Sequence, residues 1–542
     1  MPNWLASLKS VCADLASPRD EPHARPFDAG DWGAIALIVA IGAALRLPGL
    51  GDWFMTGDDA LDVIIAMAPS VQNVVYRTFA WNNGHPPLPY ILLHYAIWNG
   101  DLGPWSLRAL AWIPSVAAPA VFYMIGRWIV GSRAAAVLLG ALLAVSFEVV
   151  SQAGQIRHYS LMLCLSGIAV LTLAWRGRHA FGRYAVAAIL LLATGFEGSF
   201  LLLPLSLIWL GRAWDAEGDR SARRGWVVAH LVMALLMAAM IAAYLHFGGP
   251  SPTARMDAAS AGGGVQAMLV ALQRMAAGLV GPFGARGLVA ALSLLAVWLG
   301  GAWMLWRDRR GALAAIIVVP PLIAFCGVAF AVYPIPGYRH ALHVYPSLVI
   351  AAAVLVAAIE RRASARAAIG VAITVACGVM LIATGGAMPS ADAYRARNDQ
   401  SEWVRSADWT AGTTRLAESR LPALLSMGER MRFLASSGLH EAWRVPAPVM
   451  GAVCTGQWEF RTPELLRLCL ESIRDLPDRV ATLAVFDPGP AAAEMEAALL
   501  RDACLPIERH ERTGGVMYLE INGRAWRERQ GTCLGDPPPL RR

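Results

Sequence analysis

The chain consists largely of long apolar runs separated by short segments that contain arginine. The runs are about 17 to 22 residues long, which lets a helix cross roughly 30 Å of hydrocarbon. They do not show the alternation of outer-membrane barrel strands. Only 16% of the 542 residues are charged and 56% are hydrophobic, and the mean hydropathy is +0.47. These features predict an α-helical polytopic membrane protein and exclude a purely soluble one.

The arginines predict which ends of the spans share a side of the membrane. The formal net charge is +7, but the positive residues lie between apolar runs, where they indicate topology rather than nucleic-acid binding. We expect all of these clusters to face the cytoplasm. They are Arg127 and Arg133; Arg176, Arg178 and Arg183; Arg212, Arg220, Arg223 and Arg224; Arg307, Arg309 and Arg310; and Arg361, Arg362 and Arg366.

Placing these clusters on one side predicts about eleven transmembrane helices. The predicted spans are 32–50, 105–126, 134–151, 160–175, 184–196, 198–211, 226–247, 287–306, 312–332, 341–359 and 367–386. Residues 1–31 then form a cytoplasmic tail, and the odd number of spans places the C-terminus outside. The apolar segment 86–98 is predicted to lie at the interface, because a span of about 13 residues is short and would invert every later cluster.

Two long external loops, 51–104 and 248–286, interrupt the predicted transmembrane domain of residues 32–388. From residue 389 to 542 charges and prolines become frequent. The runs 480–486 and 516–521 have strand length, and 491–503 has a helical pattern. The sequence therefore predicts a soluble α/β periplasmic domain after the last span.

Four cysteines of this domain are candidates for disulfide bonds, since the predicted topology places the domain in an oxidising compartment. They are Cys454, Cys469, Cys504 and Cys533. Three pairings are possible, and the absence of a CxxC spacing makes a zinc site the weaker interpretation.

Polar residues that the topology places on the outer face form four clusters. The first holds Asp58 and Asp59 at the start of an apolar segment, where they could equally cap a helix and complement its dipole. The second holds His85, within 82–90, which could instead be an interfacial hydrogen-bonding residue.

The third cluster holds Gln155, Arg157 and Tyr159 at the outer end of a span, where positive charge is disfavoured and an arginine needs an anionic partner. The fourth holds Arg339 and His340 in a Pro-Gly turn. The alternative role of this cluster is to anchor the helix end, with a side chain that snorkels from the membrane to the interface.

Together the clusters predict a site for a lipid-linked phosphate. Arginine binds phosphate in a bidentate manner, and a phosphate leaving group departs as an anion without a strong general acid. One carboxylate that acts as a base, together with the cationic arginines, would then suffice for the reaction. Lysine chemistry is excluded, because the only lysine is Lys9, which precedes the first span.

The order of the motifs resembles that of the GT-C membrane glycosyltransferases, in the superfamily of dolichyl-phosphate-mannose protein mannosyltransferases and aminoarabinose transferases. The motifs that carry the resemblance are Arg46, Asp58-Asp59, His85 to Leu88, Gly103 to Arg108, Gln155 to Tyr159, and a late Tyr-Arg-His before Pro346. They cover about residues 32–388. The resemblance implies a GT-C fold, a polyprenyl-phosphate sugar donor, and an inverting single displacement in a cavity on the outer face.

The resemblance also implies roles for single residues. A first-loop aspartate, Asp58 or Asp59, is the catalytic base, while Arg339 with Arg157 and His340 binds the donor phosphate. The residues implied to orient the substrates are His85, Tyr159, Gln155 and Arg46. The superfamily usually has Asp-Glu where this chain has Asp58-Asp59, which leaves open which acid is the base, and residues 389–542 match no known pattern.

The expected function is transfer of a sugar to a hydroxyl of a protein, lipid or polysaccharide at the periplasmic face of a bacterial inner membrane. No cofactor is expected; a divalent metal near Asp58, Asp59 and His85 is possible, but the spacing does not indicate one. Two alternatives stay open at this point. One is a lipid or solute transporter that uses the same charged cavity, and the other is a non-catalytic envelope scaffold.

Overall fold

The computed structural model describes most of the predicted membrane domain and parts of the C-terminal domain. The described residues are 26–48, 50, 57–80, 85–99, 104–175, 179–215, 220–247, 264–280, 287–329, 342–384, 414–415, 418–419, 421, 423–424, 470, 478–485, 497–498, 500–501, 505–513 and 516–533. Most of them are helical.

Sixteen of the described α-helices lie between residues 29 and 383. The first ten are α1 (Ala29–Arg46), α2 (Gly57–Ala66), α3 (Val71–Ala80), α4 (Leu88–Trp98), α5 (Pro104–Ile125), α6 (Arg133–Val145), α7 (Phe147–Ser151), α8 (Tyr159–Leu171), α9 (Ala180–Thr194) and α10 (Gly198–Asp215). The next six are α11 (Arg220–Phe247), α12 (Gly264–Val280), α13 (Gly287–Arg307), α14 (Gly311–Ala329), α15 (Tyr345–Arg362) and α16 (Ala365–Ala383). A π-helix, Gly126–Val130, extends α5, and 3₁₀ turns follow α7 at Gln152–Gly154 and α8 at Thr172–Ala174.

The predicted fold class is confirmed as that of a helical, multi-pass membrane protein with a small C-terminal sheet. Each predicted span falls on a helix or on a pair of helices. The predicted count of eleven is not confirmed: among the described residues six helices are long and apolar enough to span, or seven if the bent pair α6–α7 is one span. Helices α4, α8, α9 and α10 are apolar but shorter, and α15 ends in the charged residues Glu360, Arg361 and Arg362.

Side-chain caps fix where several helices begin. Asp28 accepts from the backbone N–H of Asp31 at 2.9 Å, and Asp31 accepts in return from the N–H of Asp28 at 3.3 Å, so α1 opens with a reciprocal capping box. Ser132 caps α6 by accepting from Ala135 N–H at 3.0 Å, and Ser364 caps α16 in the same way. These bonds satisfy donors that a helix N-terminus otherwise leaves open.

Charged residues gather at one end of the helix bundle, which we call the arginine end. The buried carboxylate of Asp31 accepts from Arg127 Nε and Nη2, both at 2.9 Å, from the Tyr123 hydroxyl at 2.8 Å, and from Arg133 Nε at 3.3 Å. These contacts join the start of α1 to the π-helix and to the start of α6. The sequence prediction that Arg127 and Arg133 share a side agrees with this arrangement, and its assignment to the cytoplasm stays a prediction.

Two later clusters reach the same end. Arg310 donates to the carbonyl of Ile129 at 2.7 Å and to that of Val130 at 3.3 Å. Glu360 accepts from the hydroxyl of Ser132 and from Ala134 N–H. Because Glu360 ends α15 while Ser132 begins α6, the two helices are antiparallel, and the first turn of α15 lies at the end of the bundle where α6 finishes.

Small residues let these helices approach closely. A Cβ added at Gly140 of α6 would lie 3.1 Å from the Ile38 side chain of α1, and one at Gly301 of α13 would lie 2.7 Å from the Ala351 carbonyl of α15. In a bilayer, where lipid tails are as apolar as leucine, such close packing is what holds helices together.

The chain divides into two compact units. The first comprises 1–48, 68–95 and 108–397, and the second comprises 49–67, 96–107 and 398–542. The described sheet of the second unit contains β1 (Ala423–Leu424), β2 (Arg479–Val485), β3 (Ile507–Thr513) and β4 (Val516–Asn522), in the order β1-β2-β4-β3, and the helix α17 (Gly523–Cys533) follows β4. The predicted strands 480–486 and 516–521 are therefore confirmed as β2 and β4.

Burial and ion pairs stabilise this sheet. β1 is parallel to β2, and β4 pairs antiparallel with both β2 and β3. Val480, Leu519 and Trp526 are buried. Arg415 and Arg509 bind Glu511 and hold the pKa of its carboxyl below the ordinary value. The cysteines Cys454, Cys469 and Cys504 lie outside the described residues, so the disulfide prediction stays a prediction.

We expect Gly126→Ala to lower the thermal unfolding midpoint of the detergent-solubilised protein. The added Cβ would lie 2.3 Å from Ala136 Cα and 2.4 Å from Ala136 N, both backbone atoms, so the π-helix and α6 must separate. Overpacking of this kind costs about 1–3 kcal/mol. The matched control is Gly370→Ala in α16, where nothing lies within 4 Å; equal midpoints for the two variants would contradict the prediction.

Candidate functional site

The structure describes some of the predicted site residues and not others. Arg339 and His340 lie outside the described residues, and Asp58 lies in α2 with a side chain that is not described. The predicted residues whose side chains are described are Asp59, His85, Gln155, Arg157, Tyr159 and Arg46.

The bend between α6 and α7 creates the local geometry of the site. The two helices meet at 53°, because Ser146 between them adopts an extended backbone conformation, with φ −60° and ψ 135°. A broken helix leaves carbonyl groups without intrahelical donors. In a membrane protein these groups need other donors, since hydrocarbon supplies none.

Arg46, at the end of α1, supplies those donors. Its Nη2 donates to the carbonyl of Leu143 and its Nη1 to that of Ala144, both at 2.7 Å. Its Nε donates to Ser115 Oγ at 2.8 Å, and Ser115 Oγ donates to the carbonyl of Val149 at 2.9 Å. The guanidinium therefore bridges the two sides of the bend, and these contacts support a structural role for Arg46.

The chain beyond the bend carries a series of buried polar side chains. Glu148 is fully buried, and its Oε1 accepts from Gln152 Nε2 at 2.6 Å. Arg108 of α5 holds the next turn by donating from Nε to the carbonyl of Gly154 at 2.6 Å. Gln155 follows with 1% of its surface exposed.

Arg157 lies at the centre of this segment, beside the ring of Tyr159, which packs with the rings of two histidines. It is 5% exposed, and its guanidinium carbon lies 5.7 Å from the centroid of the Tyr159 ring. The rings of His85 and His158 are 4.3 Å apart, and those of His158 and Tyr159 are 4.4 Å apart. Three of the predicted residues, His85, Arg157 and Tyr159, are thus brought together from positions more than 70 apart in sequence.

The turn between α9 and α10 adds a second carboxylate, that of Glu197, to the group. Burial raises the pKa of this carboxyl above its ordinary value, and the positive charge of Arg157 lowers it by less. Gly195 of the same turn packs against the His158 ring: a Cβ there would lie 3.6 Å from His158 Cδ2 and 3.2 Å from Glu197 Oε2.

The first turn of α15 completes this group. Tyr345 is buried, and the Glu148 carboxylate is close enough to act electrostatically on its hydroxyl. His343 is also buried, with its ring centroid 5.1 Å from that of Phe200 in α10. We call the whole set the buried polar cluster. Its buried members are Glu148, Gln152, Gln155, Arg157, His158, Tyr159, His343 and Tyr345, and its half-buried members are His85 and Glu197.

Such a concentration of ionisable groups in a membrane bundle is costly. Buried charges must be paired, and near hydrocarbon they mark functional sites. The arrangement supplies a cation suited to a phosphate, carboxylates that can accept protons or hydroxyl hydrogen bonds, and imidazoles that can transfer protons.

The predicted acids belong to the second unit. Helix α2 begins at Gly57, so Asp58 and Asp59 lie in its first turn, where negative charge complements the helix dipole. Asp59 is 7% exposed and Asp62 is 3% exposed. Charged side chains are seldom buried without a partner or a function, which argues against a merely solvated helix start.

Sequence reasoning missed Glu148, Glu197, His343 and Tyr345 as site residues. A signal was present for the two glutamates: Glu148 interrupts an apolar run, and Glu197 is the only acid between two runs. Ionisable residues in such positions are functional candidates. Within the described part of the chain no group of three or more His, Cys, Asp or Glu side chains is placed to hold a metal ion.

Comparison with known proteins found structural neighbours only. No protein-family model matches the sequence, and no curated protein matches it. The chain is similar to a crystal structure of ArnT from Cupriavidus metallidurans bound to undecaprenyl phosphate, with 13% identity and a TM-score of 0.48 over 91% of this chain and 98% of that one. It is also similar to the apo structure of the same protein, with 14% identity and a TM-score of 0.48 over 92% and 99% of the two chains.

We expect Arg46→Gln to lower the thermal unfolding midpoint markedly. The substitution removes the guanidinium that donates to Leu143, Ala144 and Ser115, and each buried group left without a partner costs about 1–3 kcal/mol. The control is Arg361→Gln, whose exposed ion pair with Asp308 contributes little. If Arg46→Gln unfolded at the wild-type temperature, Arg46 would not be what stabilises the bend.

Proposed function

We propose that the protein is an inverting glycosyltransferase that moves a sugar from a polyprenyl-phosphate-linked donor to a hydroxyl acceptor. The transfer takes place at the periplasmic face of a bacterial inner membrane, with the N-terminus in the cytoplasm. The order of the sequence motifs and the chemistry of the buried polar cluster both support this function. The observation that carries it is the burial of Arg157 at one end of a membrane helix bundle, with its guanidinium over the ring of Tyr159.

Arg157 has the properties of a lipid-phosphate ligand. A guanidinium forms two parallel hydrogen bonds with a phosphate, and each charge-assisted bond contributes about 1.5–3 kcal/mol. The rigid surroundings of Arg157 reduce the entropy lost when it binds. A donor with a polyprenyl tail can approach through the lipid, so a phosphate site at the end of a membrane bundle fits such a ligand. Arg339 and His340 are proposed to bind the same phosphate.

The reaction needs one general base and no general acid. The acceptor hydroxyl attacks the anomeric carbon, the bond to the phosphate oxygen breaks, and the polyprenyl phosphate departs as an anion without a general acid. We assign the base to Asp58 or Asp59, which receives the proton of the acceptor. His85, Gln155 and Tyr159 are proposed to orient the donor and the acceptor through hydrogen bonds.

The position of the charged groups favours an enzyme over a transporter. Transporter sites form near the middle of the membrane, at the interface of inverted repeats. The described members of the buried polar cluster lie instead at helix ends and turns: before α4, within and after the five-residue α7, at the start of α8, between α9 and α10, and at the start of α15. A scaffold has no need for buried charge of this kind, since its cost must be offset by pairing.

We expect the purified protein to bind undecaprenyl phosphate much more tightly than undecaprenol. The two lipids share a tail and differ in the phosphate that Arg157 binds. We expect Arg157→Gln to weaken the binding of undecaprenyl phosphate at least tenfold, since about 1.4 kcal/mol is a factor of ten. Native mass spectrometry or a tryptophan-fluorescence titration measures both affinities.

The control for this experiment is Arg361→Gln, at the arginine end, which keeps the total charge change the same. It should bind undecaprenyl phosphate as the wild type does. Equal affinities for the two lipids, or an equal effect of the two arginine substitutions, would contradict a phosphate site at Arg157.

We expect Asp58→Asn or Asp59→Asn to abolish sugar transfer while undecaprenyl phosphate still binds. Loss of a general base slows a reaction by about 10²–10⁴-fold, and the variant with the larger loss identifies the base. The reaction is followed by mass spectrometry as the conversion of lipid-linked sugars in host membranes to free polyprenyl phosphate. Asp308→Asn, at the arginine end, is the control; full activity in both first-loop variants would overturn the assignment.

A further inference from the structure

His158 contacts two of the proposed site residues, and neither the sequence motifs nor the proposed function gives it a role. The centroid of its ring lies 4.3 Å from that of His85 and 4.4 Å from that of Tyr159, with interplanar angles of 52° and 34°. At these separations the ring atoms are in van der Waals contact. The rings of His85 and Tyr159 are 6.3 Å apart and nearly perpendicular, at 85°. His158 therefore links a residue before α4 to the segment that carries Arg157.

The three rings differ in how far they are buried. Tyr159 is 0% exposed and His158 is 2% exposed, whereas His85 is half-buried. A ligand of the site can therefore reach the His85 ring more readily than the His158 ring, which protein atoms cover. The contact between the two histidines lies on the covered side of His85, so His158 supports His85 from the interior of the bundle.

Two elements confine the His158 ring. The residue immediately precedes α8, and its carbonyl accepts from the N–H of Met162 at 2.9 Å, so its backbone is part of the first turn of that helix. On another side lies Gly195, in the turn between α9 and α10, where an added Cβ would lie 3.6 Å from His158 Cδ2 and 2.7 Å from Met162 Sδ. A ring packed in this way moves little, which makes it a rigid support.

The chain restricts the backbone of His85 but not its side chain. Two prolines follow it, Pro86 and Pro87, and a residue before proline is biased towards extended backbone conformations. The carbonyl of Pro87 accepts from the N–H of Ile91 at 3.0 Å, which joins this segment to α4. The side-chain torsions of His85 still have several staggered minima. The contact with His158 limits them on the covered side.

We propose that His158 is the positioning residue for His85: it holds the His85 imidazole in the orientation in which that ring contacts the substrates. The inference rests on the proposed function, in which His85 orients the donor and the acceptor. His158 acts through His85 by packing, and it transfers no proton. Position 158 therefore requires a flat ring, but not an imidazole.

The first test measures the exposure of the His85 ring and needs no assay of transfer. Diethyl pyrocarbonate acylates neutral imidazoles that it can reach, and peptide mass spectrometry assigns the product to single histidines. We expect His158→Ala to raise the acylation rate of His85 by roughly threefold or more, because the unsupported ring can adopt further rotamers. His158→Phe should leave the rate near that of the wild type. His510, exposed on β3, is the internal control and should react equally in all three proteins.

The second test measures sugar transfer as the release of polyprenyl phosphate from lipid-linked sugars. We expect His158→Ala to slow transfer by roughly 10- to 100-fold, since a misplacement of about 1 Å can cost about 10²-fold in rate. His158→Phe should keep most of the activity, and both variants should bind undecaprenyl phosphate as the wild type does, because Arg157 is unchanged. A cavity at position 158 also lowers the unfolding midpoint, so the rates are compared at a temperature at which all variants are folded.

The double variant His85→Ala with His158→Ala tests whether His158 acts through His85. If it does, the double variant should transfer sugar no more slowly than His85→Ala alone. Multiplicative losses, a His158→Phe protein as slow as His158→Ala, or an unchanged acylation rate of His85 in His158→Ala would overturn the inference and leave the proposed function intact. A wild-type protein that neither releases polyprenyl phosphate nor binds undecaprenyl phosphate would overturn the proposed function. The acylation result does not depend on transfer, so it tests the positioning of His85 in either case.

Discussion

The bend at Ser146 is the feature on which the site depends, and Arg46 is what makes the bend possible. A helix interrupted within a bilayer exposes carbonyls that lipid cannot satisfy. The guanidinium of Arg46 binds two of them, those of Leu143 and Ala144, and reaches Val149 through Ser115. The chain can then leave the helical path and place Glu148, Gln152 and Arg157 inside the bundle instead of on its surface.

The sequence predicts most of the helices and their relative directions, because both follow from two strong physical effects, the burial of apolar runs in lipid and the location of arginines. An apolar run of about 20 residues has few alternatives to a membrane helix, and an arginine at its end stays on one side. The contact of Asp31 with Arg127 and Arg133, and of Arg310 with Ile129, agrees with this rule. The charge rule acts over whole segments, so it is insensitive to the errors of one or two residues in the predicted boundaries.

The site is harder to predict, since it depends on short-range contacts between distant segments. Arg157 and His85 were recognised from their types and their predicted location. The role of Arg46 could not be read from sequence, since an arginine at the end of a span fits a ligand site and a carbonyl clamp equally well. Glu197 was missed for a related reason: its place in the site comes from His158, 39 positions earlier, which packs against the same turn, and from the absence of a side chain at Gly195. Neither contact has a periodic signature.

The division of the chain into units adds a constraint on the chemistry. Composition alone separates residues 389–542 from everything before them, but in the structure 49–67, which includes the acids of α2, belongs to the same compact unit as that C-terminal region. The proposed base and the proposed phosphate ligand Arg157 therefore belong to different units. Residues 398–542 therefore share a compact unit with the segment that carries the acids of α2, a grouping that composition does not indicate.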